Sequence, residues 1–310
     1  MSVRELVVLG CGSQVPSRER NHNGYLLRWD GEGLLFDPGE GTQRQLIFAG
    51  VRPAAITRIL ITHFHGDHCL GLPGILQRLS LDGVQHPLHL YYPASGAEYL
   101  ERLRRASIYH DRLELVLHPI ARDGVVDEGE GFVLEARRLA HPVDTFGYRL
   151  AEPPQRHLVP EALRAHGVSG PAAGELKRRG AVEIGGRRVL LHQVSREQAG
   201  AVFAFVMDTR PCAAAHALAR GANLLVCEAT YLDSEREHAR AYGHMTAGEA
   251  LALARAAGVR RVVLAHLSQR YRDAAPYRAA LAAATLEHPA GEPEVIIAED
   301  LLRIAVPRHR

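Results

Sequence analysis

Four side chains able to bind a metal fall within six residues in Thr62-His63-Phe64-His65-Gly66-Asp67-His68, directly after the apolar run Ile59-Leu60-Ile61. A buried strand ending there lets one loop present His63, His65, Asp67 and His68 to a single point. Gly66 lets that loop turn without a side chain in the way. Imidazole and carboxylate suit zinc, and the lack of thiolate partners favours a catalytic site with an open position over a closed structural one. Manganese or iron accept the same donors, so the ligand types leave the metal open.

One loop cannot complete two coordination spheres, so further ligands must come from the ends of other strands. His141 follows the apolar stretch Phe132-Leu139, Asp208 follows Val202-Met207, and His266 follows Val262-Ala265. Each alone reads as an ordinary surface histidine or loop carboxylate; their shared position at strand ends makes ligation the better reading. Two cations about 3.5–4 Å apart repel, and a shared anion relieves the repulsion. Asp208 is the expected bridge. The expected assignment is His63, His65, His141 and Asp208 on one metal, and Asp67, His68, Asp208 and His266 on the other. Asp67 can also orient the attacking water.

The elements that must position these groups read as strands and helices in two halves. Short strands come first (Leu6-Leu9, Gly24-Leu27, Gly33-Phe36), ending in the turn Asp37-Pro38-Gly39. A helix over Thr42-Phe48, a strand over Thr57-Ile61 and a helix over Leu72-Leu81 follow. The pattern repeats with strands near Leu88-Tyr92, Leu113-Leu117 and Phe132-Leu139 and a helix around Gly96-Ala106. It resumes with strands over Ala201-Met207, Asn223-Cys227 and Arg261-Ala265 and a helix over Thr246-Ala257. This order predicts helices outside a packed pair of sheets. Residues 152–199, rich in Pro, Gly and Arg and weak in periodicity, read as an insertion or arm.

Composition sets the limits. A 310-residue chain that is 46% apolar can bury a large core, and a net charge of +2 from 37 basic and 35 acidic side chains excludes a globally basic nucleic-acid binder. The four cysteines lack CxxC spacing, so reduced thiols are expected. The start, Met1-Ser-Val-Arg4-Glu5, leads into a short strand instead of a long apolar stretch, and no long apolar run occurs elsewhere. A cytoplasmic protein with no membrane association is expected.

The run His63-Phe-His65-Gly-Asp67-His68 resembles the metallo-β-lactamase superfamily signature, and its flanks are similar to ribonuclease Z, a family of endonucleases that trim the 3′ trailer from precursor tRNA. The similar segments are Gly10 to Asn21, Leu35 to Gln43, Gly71-Leu-Pro-Gly-Ile-Leu76, Phe146-Gly-Tyr-Arg149, Asp208-Thr-Arg210, Glu228-Ala-Thr230 and His266-Leu-Ser-Gln-Arg-Tyr271. The resemblance implies an α/β metallo-β-lactamase fold, a four-layer αββα sandwich formed by one domain over 1–310, with the inserted arm 152–199 as a tRNA-binding exosite. It implies two zinc ions per subunit and a homodimer in which one subunit's arm serves the other's active site.

Phosphodiester cleavage also needs a proton donor for the departing ribose oxygen. His244, in Gly243-His244-Met245-Thr246, is the candidate acid, and Glu228 is similar to the family's glutamate that orients such a histidine. The catalytic set is therefore Asp67, His244 and Glu228. The chain departs from the family pattern at Met207, Cys227 and Met245, all beside presumed catalytic residues.

Residues 152–199 hold eight Lys/Arg against five Glu, a local +3. Gly170-Pro171 and the following Lys177, Arg178 and Arg179 are similar to the tip of the family's exosite, whose phosphate contacts would be sequence-independent and salt-sensitive. Near the front, Arg18 and Arg20 place two guanidiniums on a loop expected beside the metals, and Arg270 follows His266; all three are expected to hold the RNA end. A hydrolase of small phosphodiesters, sulfate esters or lactones on the same metals is the alternative activity. An RNA-binding protein without catalysis is the alternative of another class.

Overall fold

The computed structural model describes residues 3–129, 131–285 and 292–306. The described residues divide into two compact units, those up to Leu150 together with those of 202–306, and residues 151–201.

In the larger unit the first half supplies strands β1 (Val3–Gly10), β2 (Gly24–Asp30), β3 (Glu32–Phe36), β4 (Arg58–Leu60), β5 (Leu88–Pro93) and β6 (Leu115–Ile120). Its helices are α1 (Thr42–Phe48), α2 (Gly66–Cys69), α3 (Leu72–Leu81) and α4 (Ala97–Arg104). Next come β7 (Gly124–Gly129), β8 (Phe132–Arg138) and β9 (Phe146–Ala151). The smaller unit contains β10 (Gln155–Leu158), α5 (Pro160–Ala165), α6 (Pro171–Arg179), β11 (Ala181–Ile184), β12 (Arg187–Leu190) and β13 (Ser195–Gln198). The larger unit resumes with β14 (Val202–Val206), α7 (Ala213–Ala219), β15 (Leu224–Glu228), α8 (Arg236–Tyr242), α9 (Ala247–Ala256), β16 (Arg261–Ala265), α10 (Ala275–Thr285), β17 (Glu294–Ile297) and β18 (Arg303–Ala305).

Two seven-stranded sheets result, in the orders β18-β1-β2-β3-β4-β5-β6 and β17-β16-β15-β14-β9-β8-β7. Strand alternation sorts the side chains of the first sheet. Val7, Leu9, Leu26, Leu35, Ile59, Ile61 and Leu90 pack with α1 and α3 through Leu46, Leu72, Ile75, Leu76 and Leu79. The opposite face meets the second sheet: Phe36 lies 4.7 Å from Phe205, 5.5 Å from Phe203 and 6.1 Å from Tyr148, ring centre to ring centre. Helices α7 and α9 pack on β14, β15 and β16 of the second sheet. The expected αββα layering is thus the observed one.

The parallel pairings β3/β4 and β4/β5 in one sheet, and β14/β15 and β15/β16 in the other, make strand ends coincide. C-terminal ends of parallel strands are where such sheets present functional groups. Several element boundaries differ from the sequence reading. The strand expected at Leu113 starts at Leu115, because the Asp111 carboxylate accepts the Leu113 N–H at 3.1 Å and holds it out of the ladder. β7, α7, α8, α10, β17 and β18 carried no sequence expectation.

Residues 151–201 have a small core of their own in Val168, Leu176, Val189 and Val194, with Leu158, Leu163, Val182 and Ile184 packed around it. The weak periodicity of this segment follows from elements of four to nine residues, too short for a pattern to accumulate.

Candidate metal centre

β4 ends at Leu60, and Asp37, at the end of β3, catches the chain beyond it: its carboxylate accepts the Thr62 N–H at 2.7 Å and the Thr62 hydroxyl at 2.8 Å. The same carboxylate accepts Nδ1–H of His68 at 2.8 Å. Since the Thr62 hydroxyl proton is committed to Asp37, its oxygen accepts Nδ1–H of His63 at 3.0 Å. One buried carboxylate thereby orients two imidazoles and turns both Nε2 lone pairs inward.

The second half repeats the device. Glu228, at the end of β15 and wholly buried, accepts the Thr230 hydroxyl at 2.6 Å and Nδ1–H of His244 at 3.1 Å, besides the Met245 N–H at 3.1 Å. Thr230 in turn accepts Nδ1–H of His266 at 2.7 Å. His141 donates Nδ1–H to the Gly243 carbonyl at 3.0 Å. Asp37, Asp208 and His266 carry positive φ values of 44°, 48° and 56°, a left-handed turn at each strand end that only a few per cent of non-glycine residues adopt. These turns fold the side chains back toward one point, and the strain is offset by the surrounding hydrogen bonds.

The expected ligands converge. One ligand atom each from His63, His65, His141 and Asp208 lie within 4.8 Å of one another, and so do those of Asp67, His68 and His266. Asp208 sits between the groups: Oδ2 is 3.5 Å from His63 Nε2 and 3.9 Å from His141 Nε2, while Oδ1 is 3.2 Å from His266 Nε2 and 3.5 Å from His68 Nε2. Asp67 Oδ2 lies 3.3 Å from His68 Nε2 and 3.4 Å from His266 Nε2. Buried Asp208 Oδ1 and His141 Nε2 have no hydrogen-bond partner. Polar atoms orphaned in this way cost free energy unless a cation satisfies them. The donor set therefore fits metal ions.

The electrostatics agree. Burial, reinforced by the neighbouring His68, drives His63 well below the usual imidazole range, keeping it neutral as a ligand must be. Burial would also lower His68, but the carboxylates of Asp208, Asp67 and Asp37 outweigh it and hold the group up. Carboxylates that favour a proton there equally favour a metal cation in its place. Asp208 is held well below the usual carboxylate range, because the surrounding histidines, His266 and His68 foremost, outweigh the opposing effect of burial.

His244 belongs to a third possible donor group with Asp208 and His266. Burial lowers its basicity, yet Glu228 and Asp208 outweigh burial and raise it to about 9. The cleft over the centre has a volume of about 710 Å³ and is lined also by Ser13, Gln14, His22, Tyr231, Tyr242 and Arg270.

The basic residues fare differently. Arg18 is exposed, but Arg20 is buried and its guanidinium donates to the Tyr271 carbonyl at 2.9 Å. This corrects the expectation that both arginines face RNA: the Arg20 fork instead fastens its loop to the loop after His266. Arg270 lines the cleft and pairs loosely with Glu235 at 3.4 Å. In the smaller unit Lys177, Arg178 and Arg179 are exposed on the last turn of α6. Gly170 and Pro171 start that helix, with Gly170 at φ 51°, ψ −129°, a backbone state that glycine alone adopts readily. Sequence reasoning missed Asp37, read only as part of a turn, and gave Thr62 and Thr230 no role.

A largely buried, metal-competent histidine–aspartate cluster at the strand ends of paired sheets, opening to the cleft at the exposed His65, defines a metallo-β-lactamase-type protein, and residues 17–148 match the family described as Metallo-beta-lactamase superfamily. Over its full length the chain is 55% identical to the Ribonuclease Z of Nocardia farcinica, with 100% of each chain covered, and 54% identical to that of Streptomyces avermitilis, with 99% of each covered. Among solved structures it resembles the short form of human tRNase Z, with a TM-score of 0.70 and 27% identity over 98% of this chain and 99% of that one. The chain belongs to the ribonuclease Z family.

The support geometry makes a prediction. Asp37→Ala removes the shared anchor of His63 and His68, and zinc affinity measured by chelator competition should fall roughly 10- to 100-fold. Unchanged affinity would show that the two rings are held by packing alone.

Proposed function

We propose that this protein is a metal-dependent endoribonuclease that removes the 3′ trailer of precursor tRNA, leaving a 3′-hydroxyl on the tRNA and a 5′-phosphate on the trailer. The observation that carries the reading is the meeting, in one cleft, of two ligand groups around Asp208 with the Glu228–His244 pair, in a chain 55% identical to a Ribonuclease Z along its whole length. We assign His63, His65, His141 and Asp208 to one zinc ion, and Asp67, His68, Asp208 and His266 to the other. When bound, the two cations neutralise phosphate charge and acidify a water for attack.

The chain's own groups complete the reaction. Asp67, held in place by His68 and His266, orients the attacking water. His244 donates its proton to the departing ribose 3′ oxygen, and the buried Glu228 keeps that proton on the ring until it is needed. Arg18 and Arg270 hold phosphates at the cleft. The exposed Lys177, Arg178 and Arg179, with the Gly170-Pro171 tip, bind tRNA phosphates away from the scissile bond. Among the described residues no helix is long and apolar enough to cross a membrane. We infer a cytoplasmic homodimer, on the family resemblance, in which one subunit's arm serves the partner's site.

The deciding experiment incubates purified protein with a 3′-extended precursor tRNA and with bis(p-nitrophenyl) phosphate, with and without chelator. Chelator-sensitive cutting at one site is expected; hydrolysis of the small ester alone would overturn the nuclease reading. Deleting residues 155–195 should abolish tRNA cleavage while sparing the small ester, and equal loss of both would contradict an exosite.

The acid assignment is tested through pH. Glu228 and then Asp208 outweigh burial and raise His244 to about 9, with His68, His141, His266 and Tyr231 also facing the ring. Glu228→Gln keeps the shape but removes the charge, so the proton leaves at lower pH. Measured on protein of matched zinc content, the alkaline limb of kcat/KM should move to lower pH by about one unit or more; for one unit, activity falls roughly twofold at pH 8 and roughly tenfold at pH 10. An unmoved limb would exclude His244 as the acid.

A further inference from the structure

One wall of the cleft is left unexplained by the ligands, their supports and the arginine loops. It is the end of α8, whose last residue, Tyr242, lines the cleft and is 59% exposed. Tyr231, also on the cleft wall, is only 9% exposed and offers no free face. The Tyr242 ring has the His238 ring as its aromatic neighbour, 6.4 Å away centre to centre and inclined by 30°, and most of the residue stays open to solvent.

The platform is fixed relative to the metal ligands. Gly243 has φ 82°, and a Cβ there would come within 2.5 Å of Pro142 Cδ and 3.0 Å of His141 Nδ1. Only glycine permits this approach, and its carbonyl takes the His141 N–H at 3.0 Å. Arg210 holds the same helix end by donating Nε–H to the Arg240 carbonyl at 3.1 Å. Tyr242 is thus clamped to a ligand on one side and stands two residues before His244.

We propose that Tyr242 is a stacking platform for the nucleobase of the nucleotide whose 3′ oxygen departs. The inference rests on the nuclease reading above. His244 protonates that oxygen, so the wall carrying His244 borders the leaving nucleotide, and Tyr242 borders its base. Seating the scissile phosphate in the cleft beside His244 would splay the adjoining bases apart, and an aromatic face can replace the lost stacking without regard to sequence.

The test pairs enzyme variants with altered precursor tRNAs. Cleavage kcat/KM is measured for the native protein, Tyr242→Ala and Tyr242→Phe, each on normal substrate and on substrate abasic at the nucleotide 5′ of the cut. Tyr242→Ala should lose about 10-fold on normal RNA and nothing further on the abasic RNA, while Tyr242→Phe stays native-like. The platform is overturned if Tyr242→Ala cuts normally, or if its loss is undiminished on the abasic RNA. It is equally overturned if the loss disappears only when the abasic position lies 3′ of the cut, or if the variant changes zinc content or oligomeric state. Native protein that fails to cut precursor tRNA at all would instead bring down the nuclease reading, and this inference with it.

Discussion

Buried lone pairs facing one another are the constraint on which the rest of this structure depends. Around Asp208, imidazole nitrogens and carboxylate oxygens lie 3.2–3.9 Å apart, out of contact with water. Such an arrangement is tolerable only with positive charge among the groups, from protons or from metal ions. The fold spends much of its polar interior on holding this geometry, and two carboxylates carry the supports. Asp37 serves His63 and His68; Glu228 serves His244 and His266. In each pair one histidine is held directly and the other through a threonine hydroxyl.

That symmetry separates two chemical tasks. Asp37 supports rings whose Nε2 atoms face the ligand groups. Glu228 reaches one ring in the ligand group, through Thr230, and one, His244, whose basicity it raises. The departures from the family pattern, Met207, Cys227 and Met245, are all fully buried behind these residues. None of the three lines the cleft.

Charge is partitioned with the same economy. Arg20, which in sequence looks like a phosphate ligand, joins the front loop to the loop after His266, while Arg18 stays exposed. The smaller unit carries its basic residues on short elements over a core of four buried side chains. Exposed basic residues of this kind are a matter of surface composition, which a small scaffold can display without burying charge.

The sequence by itself determined the ligand types and their order, because His63, His65, Asp67 and His68 are close enough to share a loop and because apolar runs announce the strands that end at His141, Asp208 and His266. It also determined the two-sheet layering, since strand alternation and helical spacing are local properties. Only the tertiary structure decided that Asp37 and Thr230 are supports, that Arg20 faces inward and that Tyr242 stands over the site. Those roles depend on partners distant in the chain, such as Asp37 with His68 or Arg20 with Tyr271, and on left-handed turns at Asp37, Asp208 and His266. No local pattern encodes which way a turn residue points; the packing of the two sheets does.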